Sequence, residues 1–166
     1  SDEDLNKGFS LYGQKLAEDF RDIIEKSIRD TLKQKTKGNL NEAAQDVPIV
    51  AIVDTLLSYA VSSRSSDVHF EILDDAIMAR FRIDGVLHEI IKMPKEIHPA
   101  VVARIKILSA LRVDEHNKPQ DGRFRHRIGD EIVDVRVSIL PTFYGEKVEL
   151  RLLTAAQKPL ALSELG

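Results

Sequence analysis

Between residues 122 and 153 the chain reads GRFRHRIGDEIVDVRVSILPTFYGEKVELRLL, and this stretch constrains the fold more than any other. Val133, Val135, Val137 and Ile139 alternate with Asp134, Arg136 and Ser138. Val148, Leu150 and Leu152 alternate with Lys147, Glu149 and Arg151, and Phe124 and Ile128 with Arg123, Arg125 and Arg127. A period of two puts each set on one face of a pleated strand. Three amphipathic strands therefore follow one another, with turns at Gly129-Asp130 and in PTFYG. One face packs. The other carries Arg123, Arg125, Arg127, Arg136 and Arg151. Arginine is a planar, permanently charged fork suited to phosphate and carboxylate. Six basic residues meet five acidic ones here, so two readings stand. The face is either a solvated set of cross-strand ion pairs, which are common and weak, or a docking surface for a phosphorylated ligand or an acidic partner.

The rest of the chain supplies helices and a second group of strands. Leu16, Phe20, Ile23, Ile24, Ile28 and Leu32 recur at helical spacing and predict a helix over 11–35. Its one-sided stripe must pack on the main domain, a neighbouring chain or a missing segment. Residues 38–46 (GNLNEAAQD) read as a linker. After Pro48, the apolar residues Ile49, Ile52, Val53, Leu56, Leu57, Ala60 and Val61 predict a second helix ending near Ser62. There SSRSS favours local side-chain hydrogen bonds over helix. Residues 67–73 and 77–83 alternate as strands, and Asp84-Gly85 followed by VLHEII is a hairpin signal, because a type I′ turn needs two positive φ angles. A third helix opens at Pro94 or Pro99. Val101, Ile105, Leu108 and Leu111 form its apolar face, with Arg104 and Lys106 expected to point away. Residues 113–121 read as a polar loop. All strand connections but one can be hairpins, which predicts a mostly antiparallel α+β layer with helices packed on one face and an N-terminal helical appendage.

Composition excludes several classes. With 166 residues, 43% hydrophobic and 31% charged, the chain can build one soluble domain with an appendage. A net charge of −3 argues against generic nucleic-acid binding. The absence of cysteine excludes a disulfide framework or thiolate metal site in this chain. No apolar run approaches the ~20 residues of a membrane span, and the acidic start lacks a signal peptide's apolar core.

Self-sufficient catalytic chemistry is also missing. Gly8 to Lys15 (GFSLYGQK) imitates a P-loop, but Lys15 comes one place late, Leu16 stands where Ser or Thr is required, and no strand precedes it. Asp67, His69 and Glu71 share a strand face, yet ligands along one strand diverge and a metal needs three or four that converge. No metal site is therefore expected. The other histidines lack ligand spacing, and no serine has a Ser–His–Asp context.

Six motifs occur in a fixed order: SSDVHFE, RFRIDGVL, RIKILSAL, PQDGRF, DVRVSILPT and GEKVELRLL. Together they closely resemble the domain that precedes the catalytic core in the secretion-system ATPase superfamily, which includes the assembly ATPases of type II secretion and type IV pili. The resemblance runs from about Val47 to Gly166 and implies a PAS-like fold. It divides the chain into an N-terminal helix and linker (1–47), the PAS-like domain (48–155) and the start of a linker (156–166) to a RecA-like catalytic domain. It implies a hexameric cytoplasmic motor, peripheral at the inner membrane through its partners. Those partners would be the RecA-like domains of the same and neighbouring subunits, the inner-membrane platform and cytoplasmic docking proteins, with no nucleic acid. ATP and Mg2+ would serve the full-length protein, with Walker A and B beyond this chain, so the chain alone is expected to be inactive. In the family, arginines of this domain reach the nucleotide; the matching positions are Arg136 and Arg151, with Arg123 a weaker match. The chief alternative is a free-standing PAS-like sensing or adaptor domain without ATPase activity.

Overall fold

The computed structural model describes residues 2–33 and 39–153, with side chains from Ala17 onward. Helix α1 (Asp2–Lys33) leads through the short α2 (Leu40–Ala43) to α3 (Val47–Ser62). Strands β1 (Asp67–Ile72), β2 (Ala76–Ile83) and β3 (Val86–Pro94) follow. A 3-10 turn (Lys95–Ile97) enters α4 (His98–Leu108), and β4 (Gln120–Ile128), β5 (Glu131–Pro141) and β6 (Glu146–Leu153) complete the fold. Among the described residues no helix is long and apolar enough to cross a membrane.

The six strands form one antiparallel sheet of order β3-β2-β1-β6-β5-β4. It consists of two three-stranded meanders, each preceded by a helix, joined where the first and last strands pair. The hairpin signals are realised: Asp84 and Gly85 both have positive φ, at 51° and 82°, and Gly129 turns at 59°. The inward residues are those with the apolar period: Val68 and Phe70 of β1, Ile77, Ala79 and Phe81 of β2, Val133 to Ile139 on alternate positions of β5, and Val148, Leu150 and Leu152 of β6. Helices α3 and α4 close this face with Ile52, Val53, Leu56, Val101 and Ile105. The α+β layer is thus as expected from the periodicities.

The amphipathic first helix packs in cis. Phe20 stacks on Tyr59 of α3 at 4.4 Å between ring centroids, Tyr59 in turn meets Phe81 of β2, and Ile24 is fully buried. The helix starts before the expected Leu11, at Asp2, so the P-loop-like Gly8 to Lys15 lies on helix rather than loop. The expected end at Lys35 and the segment 156–166 lie outside the described residues. Within the expected linker, residues 40–43 are helical: Asn39 caps them, its side chain accepting a 3.0 Å hydrogen bond from the Glu42 amide, and Ala43 and Ala44 are buried.

The larger correction concerns Lys106, expected to point into solvent. Its side chain is 1% exposed. Its Nζ donates to both Glu146 oxygens at 2.8 and 3.0 Å and to the Glu115 carbonyl at 2.7 Å. Helical spacing groups Lys106 with Val102 and Ser109, a face covered by the β5–β6 turn and the 113–117 loop. A fully buried cation needs a partner to offset its desolvation, and Glu146 is that partner. Replacing Lys106 by Met strands the Glu146 carboxylate in the interior. We expect a loss of about 3–5 kcal/mol in urea unfolding, largely recovered by the double change Lys106→Met with Glu146→Leu. An unaltered single variant would show that the pair adds nothing to stability.

Candidate functional site: an arginine row across the sheet

The strand registers bring five charged residues into one line. Arg82 of β2 lies opposite Asp67 of β1, Asp67 opposite Arg151 of β6, Arg151 opposite Arg136 of β5, and Arg136 opposite Arg123 of β4. Directly opposed residues share a face and stand about 5 Å apart at Cβ. This face is the one away from the helices, because each member is flanked along its strand by inward apolar residues. Arg123, Arg136 and Arg151, separated by up to 28 positions in sequence, are therefore neighbours. Together with Asp121, Ser138 and Glu149 they line an open groove of about 700 Å³.

The cations on this face divide into two groups. Arg80 is held between Glu71 at 3.5 Å and Glu89 at 3.3 Å, and Arg125 by Asp134 at 3.1 Å. Arg82 sits 3.7 Å from Asp67 and donates to the Gly85 carbonyl at 3.0 Å. Arg151 donates through Nε to Asp67 Oδ1 at 3.2 Å. Arg123 and Arg136 are exposed and have no acidic partner among the described residues. Ion pairs thus account for Arg80, Arg82 and Arg125, while the β5 and β4 end of the row retains the uncommitted guanidinium groups of Arg136 and Arg123. Such forks match the tetrahedral oxygens of phosphate.

Asp67, His69 and Glu71 do share a face, and cross-strand cations occupy them: Asp67 faces Arg82 and Arg151, and Glu71 faces Arg80. His69 lies between Arg80 and Glu149, with Nε2 3.8 Å from Glu149. Among the described residues no three His, Asp or Glu converge as metal ligands.

A second concavity, of about 560 Å³, lies beneath the β5–β6 turn, and His98, Lys106, His116, Tyr144 and Glu146 contribute to its walls. It is not among the sites expected from the sequence, although the sequence carries a signal for it. Glu146 falls in the inward register with Val148, Leu150 and Leu152, and Lys106 lies on an apolar helix face. His98 opens α4 and is 5% exposed. Its Nδ1 has no hydrogen-bond partner among the described residues. Burial pushes its pKa from 6.5 down to about 4, with Lys95 helping and Glu146 opposing. Unfolded chain therefore takes up a proton that folded chain refuses between about pH 6.5 and about pH 4. Stability from the neutral ring is complete above that window and falls as the pH drops through it. Urea unfolding at pH 7 and pH 4.5 should show this loss, with a shallower dependence in His98→Gln. Equal slopes in the two proteins would contradict the assignment.

Residues 42–166 match the family described as type II/IV secretion system protein. Type II secretion system protein E of Aeromonas hydrophila is 43% identical over 77% of this chain and 26% of its own length. The protein of the same name from Dickeya dadantii is 36% identical over all of this chain and 34% of its own. The type IV pilus assembly ATPase PilB of Myxococcus xanthus is 37% identical over 96% of this chain and 28% of its own. The chain thus spans about a third or less of the length of these curated relatives. By the extent of the family match and the identity across the sheet and its helices, this chain belongs to the type II/IV secretion system protein family.

Proposed function

We propose that this chain is the regulatory N-terminal domain of a hexameric motor ATPase that powers type II secretion or type IV pilus assembly. Its role is to supply arginines to the phosphates of a nucleotide held by a RecA-like domain. Residues 48–155 form the PAS-like unit, 1–47 an appended helix and linker, and 156–166 the start of the connection to the catalytic domain. The relatives named as ATPases are several times longer than this chain, which leaves room for such a domain.

The observation that carries the proposal is the arginine row. Arg136 and Arg123 are exposed and uncommitted, and Arg151 donates only through Nε, over a groove open enough for a second domain's ligand. The donor chemistry fits a polyphosphate. Guanidinium groups brought from a separate domain neutralise phosphate charge as it develops, and they make the approach of the two domains depend on what the nucleotide site holds. ATP with Mg2+ supplies the reacting phosphoryl group in the full-length protein. The chain's own share is binding and charge stabilisation through Arg136 and Arg151, with Arg123 more peripheral at the β4 edge. Such a protein works in the cytoplasm, attached to the inner membrane by the platform and docking proteins of its machine.

The test is steady-state ATP hydrolysis by the full-length protein. Arg136→Ala and Arg151→Ala should each lower kcat about a hundredfold or more, without loss of folding, and Arg123→Ala less. Arg136→Lys should recover little, because an ammonium cannot reproduce the bidentate fork. The 166-residue chain alone should not turn over ATP. Full activity in both alanine variants would reduce the row to a solvated surface and leave docking as the domain's role.

A further inference from the structure

Asp67 is unusual among the acids of the polar face. The other carboxylates there are partly or fully exposed, whereas its side chain is 6% exposed, under the arginines on either side. Three donors converge on it. Ser66 Oγ donates to Oδ2 at 2.7 Å, Arg151 Nε donates to Oδ1 at 3.2 Å, and Arg82 Nε lies 3.7 Å from Oδ2. The local backbone is fixed as well, since the Ser66 amide donates to the Arg82 carbonyl and the Leu152 amide to the Ser66 carbonyl, each at 2.9 Å. The carboxylate is therefore anchored at the junction of β2, β1 and β6.

The consequence lies in which nitrogen of Arg151 is used. A guanidinium has five N–H donors, one on Nε and four on the two terminal nitrogens. Asp67 engages Nε, and the terminal nitrogens have no partner among the described residues. A grip at Nε immobilises the plane of the group while leaving its fork unoccupied. Arg136, beside it in the row, has no such anchor. We propose that Asp67 is a positioning residue for the phosphate site: by holding Arg151 at Nε it presents that residue's two terminal nitrogens ready-oriented to an oxyanion. The inference rests on the phosphate reading given above and extends it to a residue that touches no ligand itself.

Charge and positioning predict opposite signs, which makes the proposal testable. Asp67 is the single acid in a row with four arginines, so removing its charge strengthens anion binding if electrostatics alone matters. If positioning matters, removing its acceptor weakens binding, because Arg151 must then be ordered by the ligand. The experiment titrates inorganic tripolyphosphate into the 166-residue chain by calorimetry and follows the arginine Nε–H groups by 15N NMR. In Asp67→Ala we expect binding about two- to tenfold weaker, the cost of ordering one long side chain, with the Arg151 Nε–H signal losing its exchange protection. In Asp67→Asn, which keeps an oxygen acceptor and loses the charge, binding should equal or exceed wild type and the signal should persist.

Tighter binding by Asp67→Ala, or an unchanged Arg151 Nε–H signal in it, overturns the proposal. Should Asp67→Ala fail to fold, Ser66→Ala removes only the hydroxyl that steadies the carboxylate. It should reduce Nε–H protection with a smaller loss of affinity, and no change in that signal is again fatal. Arg151→Ala separates the two levels of the argument. If it weakens tripolyphosphate binding and Asp67→Ala does not, positioning alone is wrong. If neither Arg151→Ala nor Arg136→Ala alters binding, the phosphate reading fails and the positioning role falls with it.

Discussion

The antiparallel pairing of β1 with β6 joins two otherwise separate meanders, and four residue pairs carry it, from Asp67 opposite Arg151 to Phe70 opposite Val148. On one side of the sheet this register sets Val68 against Leu150 and Phe70 against Val148 in the core. On the other it completes the line from Arg82 to Arg123. A slip of one residue would turn Leu150 to solvent and Arg151 into the interior. The burial of the apolar face therefore fixes the arginine row, and hydrophobic packing on one side sets electrostatic geometry on the other. Asp67 adds to this, because its ion pair with Arg151 can form only in the native register.

A second tie acts at the other end of the same strand. Glu146 is the first residue of β6, and its buried bond to Lys106 fastens α4 to the β5–β6 turn. Hydrophobic contacts alone leave a helix some freedom to slide on a sheet. A charge pair with three donor contacts at Nζ does not tolerate such sliding, since any shift leaves a buried charge without its partner. His116 also reaches Glu146, at 3.2 Å, and brings the 113–117 loop into the same cluster. Strand β6 is thus held at Glu146 by α4 and at Arg151 by β1, and the groove lies along the polar side between these two anchors.

The periodic parts of this fold were legible in the residues. Alternation in β1, β2, β5 and β6, the Asp84-Gly85 turn and the helical stripe of α3 each reflect one local rule, and the local rules agreed. Long-range pairing was not legible. That Arg136 and Arg151 stand side by side depends on strand order, and no spacing in the chain states that β6 pairs with β1. Lys106 departs from expectation because it lies off the stripe of Val101, Ile105 and Leu108, and nothing local in the chain states that the β5–β6 turn and the 113–117 loop cover the face that it shares with Val102 and Ser109. The helix at residues 40–43 has no sequence signature, because a single turn capped by Asn39 is too short to show a period, and it packs on α4.

The distribution of charge on the polar face bears on how such a domain works with a partner. If every arginine there had a carboxylate, the face would be self-neutralised and a phosphate would have to displace existing ion pairs. If none had one, repulsion across neighbouring strands would oppose the sheet itself. The observed arrangement lies between these limits. Arg80, Arg82 and Arg125 are balanced around the margins, one carboxylate is shared at Asp67, and Arg136 and Arg123 are left free. The groove thus holds the free guanidinium groups of Arg136 and Arg123 beside Arg151, with the carboxylates of Asp121 and Glu149 also in its wall. Under the proposed function, a polyanion arriving there relieves the repulsion among the neighbouring guanidinium groups, and its departure restores that repulsion. Differential interaction of this kind with two ligand states is what a nucleotide-dependent change in domain position requires.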